Sequence, residues 1–293
     1  MAGLFGLFNF EKEGPGIEKN APKKKTFIVF FETFFRNFWK FITVNFVYSL
    51  ISLPVLTGGL ASAGLTNVAR NTAREKHSFG LSDFFETIKK NWKQALPAGI
   101  INAVLYALIL FAAYFYYNST GVMAVIGLGI SMALFLVFSM MNLYIWTLMI
   151  TFKFSLKQIY KNAYKFAIIG LFKNFLCLLL LVLVHVIYIA LALLILKISF
   201  KAFLLGVTLL IMLYILTYPA FKYLLTQYIV FPYIKKYIID PYYAEHPDED
   251  LDKRRDLGIE IEEDEEDDEE EAEDTEPSDD NDDDDGEELV FNY

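Results

Sequence analysis

Residues 94–152 read QALPAGIINAVLYALILFAAYFYYNSTGVMAVIGLGISMALFLVFSMMNLYIWTLMITF and contain no charged side chain. Three shorter charge-free runs accompany this one, at residues 41–69, 174–196 and 202–221. About 20 apolar residues in a helix cross the hydrocarbon core of a bilayer. The longest run holds two such helices, with Asn118-Ser119-Thr120-Gly121 as the turn between them. The pattern predicts an all-α, multi-pass transmembrane helical bundle.

The charges divide the chain into a basic body and an acidic C-terminal segment. Residues 245–288 carry 28 acidic residues against three basic ones, whereas residues 1–244 carry 23 basic against 8 acidic residues. We therefore divide the chain into a polar N-terminal segment (1–25), a helical membrane domain (26–244) and an acidic tail (245–293). The tail has too few apolar residues to form a core, so we expect it to be disordered. It either solubilises the protein or attracts cations or a basic partner.

The charge-free run 41–69 is interrupted near its middle. Pro54 breaks or kinks a helix, and Gly58 and Gly59 weaken one. We predict one helix up to Leu53, a second from Leu60 to about Arg74, and a structural hinge at Pro54, Gly58 and Gly59. The small residues of the second helix predict packing against protein rather than lipid. Whether 41–74 crosses the membrane once or twice stays open, and the total is five to six membrane segments.

Basic, aromatic stretches precede the later pairs of spans. Residues 79–93 and 153–173 each place apolar side chains opposite lysines, which predicts interfacial amphipathic elbows. The two elbows align at a spacing of 75 residues, Phe79 with Phe154. This similarity indicates either an internal duplication or convergence of two interfacial segments on the same composition. Residues 27–39 show a similar amphipathic pattern.

The distribution of Lys and Arg predicts the orientation. The loops 70–93 and 153–173, together with Lys222, Lys235 and Lys236, hold 14 basic residues, and the opposite loops hold 2. Basic residues that flank spans stay on the cytoplasmic side. We therefore expect a plasma-membrane protein with a cytoplasmic C-terminus. The N-terminus is also cytoplasmic if the interrupted run crosses twice or returns.

Four polar side chains within the apolar runs are the candidate site residues: Asn45, Asn102, Asn142 and His185. They either line a polar pathway or bond neighbouring helices. His185 is the most informative, because an ionisable group within a span is costly and often functional. The runs contain no carboxylate, which lowers the expectation of ion-coupled transport. No catalytic, metal-ligand or phosphate-binding pattern is present, so we expect neither enzymatic activity, nor a cofactor, nor a nucleic-acid partner.

Several segments resemble those of the YesL-like family of bacterial integral membrane proteins of unknown function. They are Gly6-Leu7-Phe8-Asn9, the segment from Asn45 through Ser52-Leu53-Pro54-Val55-Leu56-Thr57-Gly58-Gly59, and the elbow ending Lys89-Lys90-Asn91-Trp92-Lys93. The resemblance extends over residues 4–237. It implies an auxiliary role in carbohydrate uptake and supplies no catalytic residues. The long acidic tail departs from the usual member.

Two classes of function remain. The first expectation is a non-enzymatic accessory or regulator of a carbohydrate transport or envelope system, with the bilayer and another transport component as partners. The alternative is a transporter subunit with its own substrate pathway. The two differ in structure, since an accessory predicts a closed bundle. A transporter predicts polar side chains that converge on a cavity near the bilayer midplane.

Overall fold

The structure is a computed structural model that describes residues 25–76, 78–197 and 200–245. These residues are almost entirely helical and contain no β-strand. The helices are α1 (Thr26–Arg36), α2 (Phe38–Ser52), α3 (Gly58–Ala73), α4 (Leu81–Tyr117), α5 (Val122–Thr151), α6 (Leu156–Ile169), α7 (Leu171–Leu196), α8 (Phe200–Ile234) and α9 (Asp240–Glu245). A 3₁₀ turn at Val55–Thr57 and a π-helical turn at Lys235–Ile239 complete the order. Of the acidic tail 245–293 that is predicted to be disordered, Glu245 is the last residue of α9, and residues 246–293 lie outside the described residues.

Four membrane-spanning candidates are present in the described residues: α4, α5, Leu171–Ile195 of α7, and Leu204–Glu245, which contains most of α8. The prediction of an all-helical membrane protein is confirmed, but the expected five to six segments are not. Helices α2 and α3 have only 15 and 16 residues. Each is shorter than the length that crosses a bilayer unaided.

The interruption predicted at Pro54 is present. Helix α2 ends at Ser52, and α3 begins at Gly58, two residues earlier than expected. Pro54 has an extended backbone before the 3₁₀ turn. The Thr57 hydroxyl donates to the carbonyl oxygens of Ile51 and Pro54. It thereby pairs with the Ile51 carbonyl oxygen at the end of α2, while the Pro54 carbonyl oxygen also accepts from the Thr57 backbone N–H at 2.8 Å.

Helix α3 lies at the centre of the bundle and packs on α2, α4, α5 and α8. Its small residues allow this close approach, and Ala61, Ala63, Leu65, Val68 and Ala69 are completely buried. A polar bond from the Asn67 amide to the Thr87 hydroxyl, at 2.8 Å, joins α3 to α4.

Two helical hairpins follow, each led by a basic elbow. Helix α4 begins at Leu81 and α6 begins at Leu156, the spacing of 75 that the sequence comparison indicates. The first elbow continues into the span without a break, since α4 runs for 37 residues. The second elbow is a separate helix, α6, with a capping box at Ser155 and Gln158. It buries its apolar face and ends at Ile169, and the single residue Gly170 separates it from α7.

The amphipathic N-terminal helix packs on the bundle. The Phe30 and Phe34 rings of α1 lie 5.2 and 5.8 Å from the ring of Phe221 on α8. Both are edge-to-face contacts, the arrangement that aromatic pairs favour. Helix α1 is therefore held against the same stretch of α8 that carries the polar residues described next.

Candidate functional site

A cleft of about 330 Å³ lies between the α4–α5 hairpin and the α7–α8 hairpin, with α3 at its base. Its walls are mostly apolar and aromatic. The polar side chains that line it come from five helices: Thr66, Tyr106, Ser139, Asn142, Thr147, His185, Tyr218, Lys222, Tyr223, Thr226 and Gln227. The cleft lies in the half of the bundle where α5 ends and α7 begins. We call this half the basic end, because Lys153, Lys173 and Lys222 lie there.

Gln227 is a deeply buried polar side chain at the basic end of the cleft. Only 1% of the residue is exposed, and its Nε2 lies 2.9 Å from the Thr147 hydroxyl oxygen of α5. Its other terminal atom, Oε1, has no hydrogen-bond partner. A buried polar atom without a partner costs about 1–3 kcal/mol. Gln227 can therefore form one more hydrogen bond, to an atom of a ligand in the cleft.

The orientation of the Gln227 amide is not decided by its bond to Thr147. A hydroxyl both donates and accepts, so the Thr147 oxygen can pair with either end of the amide. In one orientation the free group is an acceptor, and in the other it is an N–H donor. Gln227 can thus serve either type of ligand atom without moving its heavy atoms.

Lys222 places a cation in the same cleft. Its ammonium lies 5.1 Å from the ring centre of the adjacent Tyr223. Helices α5, α6, α7 and α8 contain no Asp or Glu, and no carboxylate of the described residues pairs with Lys222. A partly buried ammonium without a counter-charge attracts an anion.

His185, the ionisable residue that the sequence singles out, also lines the cleft. Its Nδ1 lies 2.6 Å from the carbonyl oxygen of Leu181, one turn earlier in α7. A carbonyl only accepts, so Nδ1 carries the proton. In the neutral ring Nε2 is then the acceptor, and it lies 2.9 Å from the Tyr214 hydroxyl of α8. His185 joins α7 to α8 and faces the cleft at the same time.

Asn102 and Asn142 face each other across α4 and α5. The Asn102 amide nitrogen donates to Asn142 Oδ1 at 3.1 Å, and Asn102 Oδ1 accepts from the Tyr160 hydroxyl at 2.7 Å. Tyr160 belongs to the elbow α6, where burial raises the pKa of its hydroxyl to about 12. This chain of bonds ties the elbow to the first hairpin. Asn142 additionally lines the cleft, whereas Asn102 does not.

Asn45 lies away from the cleft and joins α2 to α8. Its amide nitrogen donates to the Leu216 carbonyl oxygen at 2.7 Å, and the residue is completely buried. Pro219 lacks the N–H that would pair with the Ile215 carbonyl oxygen, one residue before the carbonyl that Asn45 meets. Side chains of neighbouring helices satisfy backbone groups beside such prolines in membrane proteins. The three predicted hinge residues, Pro54, Gly58 and Gly59, also lie outside the cleft.

A second hollow of about 290 Å³ adjoins the cleft at Gln227. Its walls include Arg70 and Arg74 of α3, together with Tyr228 and Phe231 of α8. Arg70 donates to the Thr151 hydroxyl at 2.9 Å and to Asn67 Oδ1 at 2.8 Å. Since Gln227 lines both spaces, its side chain separates the cleft from a basic surface.

Lys222 and Gln227, the two residues that distinguish the cleft chemically, are not among the site residues that the sequence predicts. Lys222 directly follows the charge-free run 202–221, which places it outside a span by composition. Helix α8 instead continues to Ile234, so Lys222 and Gln227 lie well inside it. The apolar residues that continue past Lys222 on the same helical face could have indicated this. Within the described residues, no group of His, Cys, Asp and Glu is arranged to hold a metal ion.

Comparison with known proteins identifies one family. Residues 41–117 match a family described as "Protein of unknown function, DUF624", which is the YesL-like family. The match covers about a quarter of the chain, from α2 to the end of α4. It includes Thr66 and Tyr106 of the cleft but none of the lining residues on α5, α7 or α8. No curated protein and no solved structure matches the chain.

Proposed function

We propose that the protein is a multi-pass membrane component with its own ligand site, a transporter subunit of the kind that the sequence analysis keeps as the alternative. The observation that supports this is the cleft between the two hairpins, on which polar side chains of five helices converge. A closed bundle would favour the accessory role. Transporters hold their substrates at such a junction of paired repeats.

The similar layout of the two hairpins supports the same proposal. Each has an elbow, a span, a short loop and a second span, and the elbows begin 75 residues apart. Movement of one hairpin against the other would open the cleft alternately to the two sides. The His185–Tyr214 and Asn102–Asn142 bonds lie within hairpins. The bonds that join the two hairpins include Gln227–Thr147, Tyr144–Asn174 and Tyr160–Asn102. A movement of one hairpin against the other would have to break or rearrange these bonds.

We also propose a plasma-membrane location with both termini cytoplasmic, on the strength of the Lys and Arg asymmetry. A non-enzymatic role and a partner in a transport system belong to the same proposal. The link to carbohydrate uptake rests on the family resemblance alone and stays a prediction.

Cysteine accessibility tests the proposal. In a Cys177→Ala background, Ser139→Cys places a thiol in the cleft, and Ser131→Cys places one eight residues away on the same helix. Ser131 is 4% exposed and does not line the cleft. A small charged thiol reagent should modify position 139 much faster than position 131, because only a water-filled cleft lets it reach the thiol.

Reagent added separately from each side of sealed vesicles then distinguishes the two classes. A transporter predicts modification of position 139 from both sides. Modification from one side supports a ligand-binding regulator instead. Equal protection of positions 139 and 131 would mean that the bundle is closed, and it would return the accessory role to first place.

A further inference from the structure

We propose that the cleft binds an amphipathic anion: a negatively charged headgroup at Lys222 and Gln227, with its apolar chain directed towards the lipid between the hairpins. This inference deepens the proposed function and rests on it, because it names the ligand class of the same cleft. Three features support this inference: the positive charge of Lys222, the buried amide of Gln227 and the lateral opening of the cleft.

The positive charge of Lys222 favours a negatively charged headgroup. Lys222 is the one residue lining the cleft that is positively charged at neutral pH whatever the state of His185. No lining residue is acidic, and the described helices α5 to α8 supply no carboxylate to neutralise it. Within a low-dielectric bundle an unneutralised ammonium is costly, and an anionic oxygen beside it removes that cost. A cationic headgroup would be repelled by Lys222, and a zwitterionic headgroup would gain less binding free energy from it.

The buried amide provides a hydrogen bond to the same headgroup. Gln227 follows Lys222 by five residues, about 7.5 Å along the helix. In the structure its Nε2 donates to the Thr147 hydroxyl and Oε1 is the unpartnered atom. Turning the amide by 180° places the carbonyl oxygen on that hydroxyl and lets Nε2 donate into the cleft. An ammonium and an N–H donor at one end of a cleft suit a carboxylate or a phosphate oxygen.

The remaining walls suit an apolar chain. Phe135, Leu136, Leu178 and Val182 line the cleft. Of these, Phe135 and Leu136 are each 37% exposed and Val182 is 55% exposed. In a membrane-embedded helix the exposed apolar side chains face lipid. The cleft therefore opens sideways between α5 and α7 into the hydrocarbon region.

The size of the cleft agrees with partial enclosure of such a molecule. The cleft has a volume of about 330 Å³. It accommodates a headgroup and the first few methylene groups. The rest of the chain would extend through the opening, which explains why a laterally open cleft is needed.

Trp146 offers a direct reporter, because it lines the cleft and is 6% exposed. The other two tryptophans of the chain, Trp39 and Trp92, are 78% and 51% exposed. Replacing both by Phe leaves Trp146 as the sole indole. Bromine atoms on a lipid chain quench an indole only on close approach, so quenching reports a chain inside the cleft.

The full-length protein with Trp146 alone is reconstituted in phosphatidylcholine vesicles and titrated with three brominated amphiphiles. These are dibromostearate with one chain, dibrominated phosphatidylglycerol with two, and dibrominated phosphatidylcholine as the zwitterionic control. We expect saturable quenching by one or both anions, and only weak, non-saturable quenching by phosphatidylcholine. Comparison of the two anions decides between a single-chain and a double-chain ligand.

The role of the Lys222 charge is tested with matched lysine variants. Lys222→Gln should weaken the anion's apparent affinity about tenfold, the loss of one charge-assisted bond. Lys222→Arg should retain binding, which also shows that substitution at this site permits folding. Lys173→Gln removes another lysine of the basic end, which lies 5.3 Å from the Tyr233 ring and not in the cleft. It should leave the titration unchanged.

Several results would overturn the inference. Equal quenching by the zwitterionic and anionic lipids would mean that the cleft takes a chain without selecting its charge. Unchanged anion affinity in Lys222→Gln would remove the assigned headgroup site. Absence of quenching by all three would show that no lipid chain enters. In each case a reactive cysteine at position 139 would leave the proposed function intact, and an unreactive one would refute both.

Discussion

Two adjacent glycines at the start of α3 lead to opposite predictions. A Cβ added at Gly59 would lie 2.7 Å from Gly99 Cα and 2.9 Å from Gly99 N, and closer still to the Ala95 carbonyl oxygen. All three are backbone atoms of α4, so no side chain can rotate away. A Cβ added at Gly58 meets nothing within 4 Å. Both residues are helical, so alanine improves the local helix propensity at either position.

The expected magnitudes follow from this difference. Overpacking a rigid contact costs about 1–3 kcal/mol, and the Gly59 contact belongs at the upper end because α4 must shift as a whole. The propensity gain offsets up to about 1 kcal/mol. Gly59→Ala should therefore destabilise the bundle by about 2 kcal/mol, and Gly58→Ala should be neutral or stabilising by up to about 1 kcal/mol.

Thermal unfolding in detergent at one scan rate compares the two variants with the parent protein. For a chain of this size about 1 kcal/mol corresponds to roughly 2–4 °C in Tm. We expect Gly59→Ala to unfold about 5–10 °C below Gly58→Ala. If Gly59→Ala is as stable as the parent, the close approach of α3 to α4 is not as described. If both variants are equally destabilised, the glycines act as the hinge that the sequence predicts rather than through packing.

Two further predictions concern the elbow and the orientation. Burial raises the pKa of Tyr160 to about 12 from an ordinary value near 10, so its stabilising contribution is complete below pH 10 and is lost as the pH rises towards 12. Tyr160→Phe should lower the free energy of unfolding by about 0.5–1.5 kcal/mol at neutral pH and should remove the loss of stability at high pH. If the variant loses the same amount of stability at high pH, that loss belongs to another group. In the Cys177→Ala background, an impermeant thiol reagent applied outside intact cells should label Asn118→Cys and not Lys24→Cys, and labelling at position 24 would establish a single crossing by residues 41–74.

Local chemistry was sufficient to predict most of the fold. Charge-free length identifies the spans. Pro54 identifies the interruption between α2 and α3 because Gly58 and Gly59 follow it closely. Pro97 and Pro219, without such glycines, lie inside α4 and α8. The small residues of α3 correctly indicate burial against protein. The number of spans could not be obtained in this way. Helices α2 and α3 are short, and only their packing around α4 and α8 determines how deeply they lie.

The site was less predictable, for a physical reason. His185 and Asn142 stand out because each is polar within an apolar run. Lys222 and Gln227 do not, since the first charged residue after a run normally marks the membrane surface. Their importance arises from the continuation of α8 and from the approach of Thr147 on α5. That approach joins residues 80 positions apart and depends on how the two hairpins pack.

The acidic tail, which lies outside the described residues, leads to a last prediction that depends on charge alone. Truncation after Pro247 changes the net charge from −10 to +14. In physiological salt the Debye length is about 8 Å, so a tail of charge about −24 acts on basic surfaces that it can approach closely. The lysines of both elbows provide such surfaces, and anionic lipid competes for them.

Truncation should leave expression and folding unchanged but increase the binding of detergent-free protein particles to anionic liposomes, with an effect that salt weakens. If full-length and truncated protein bind equally at low salt, the tail serves only to solubilise the protein. If binding increases but Lys222→Gln abolishes the increase, the tail acts on the cleft rather than on the elbows.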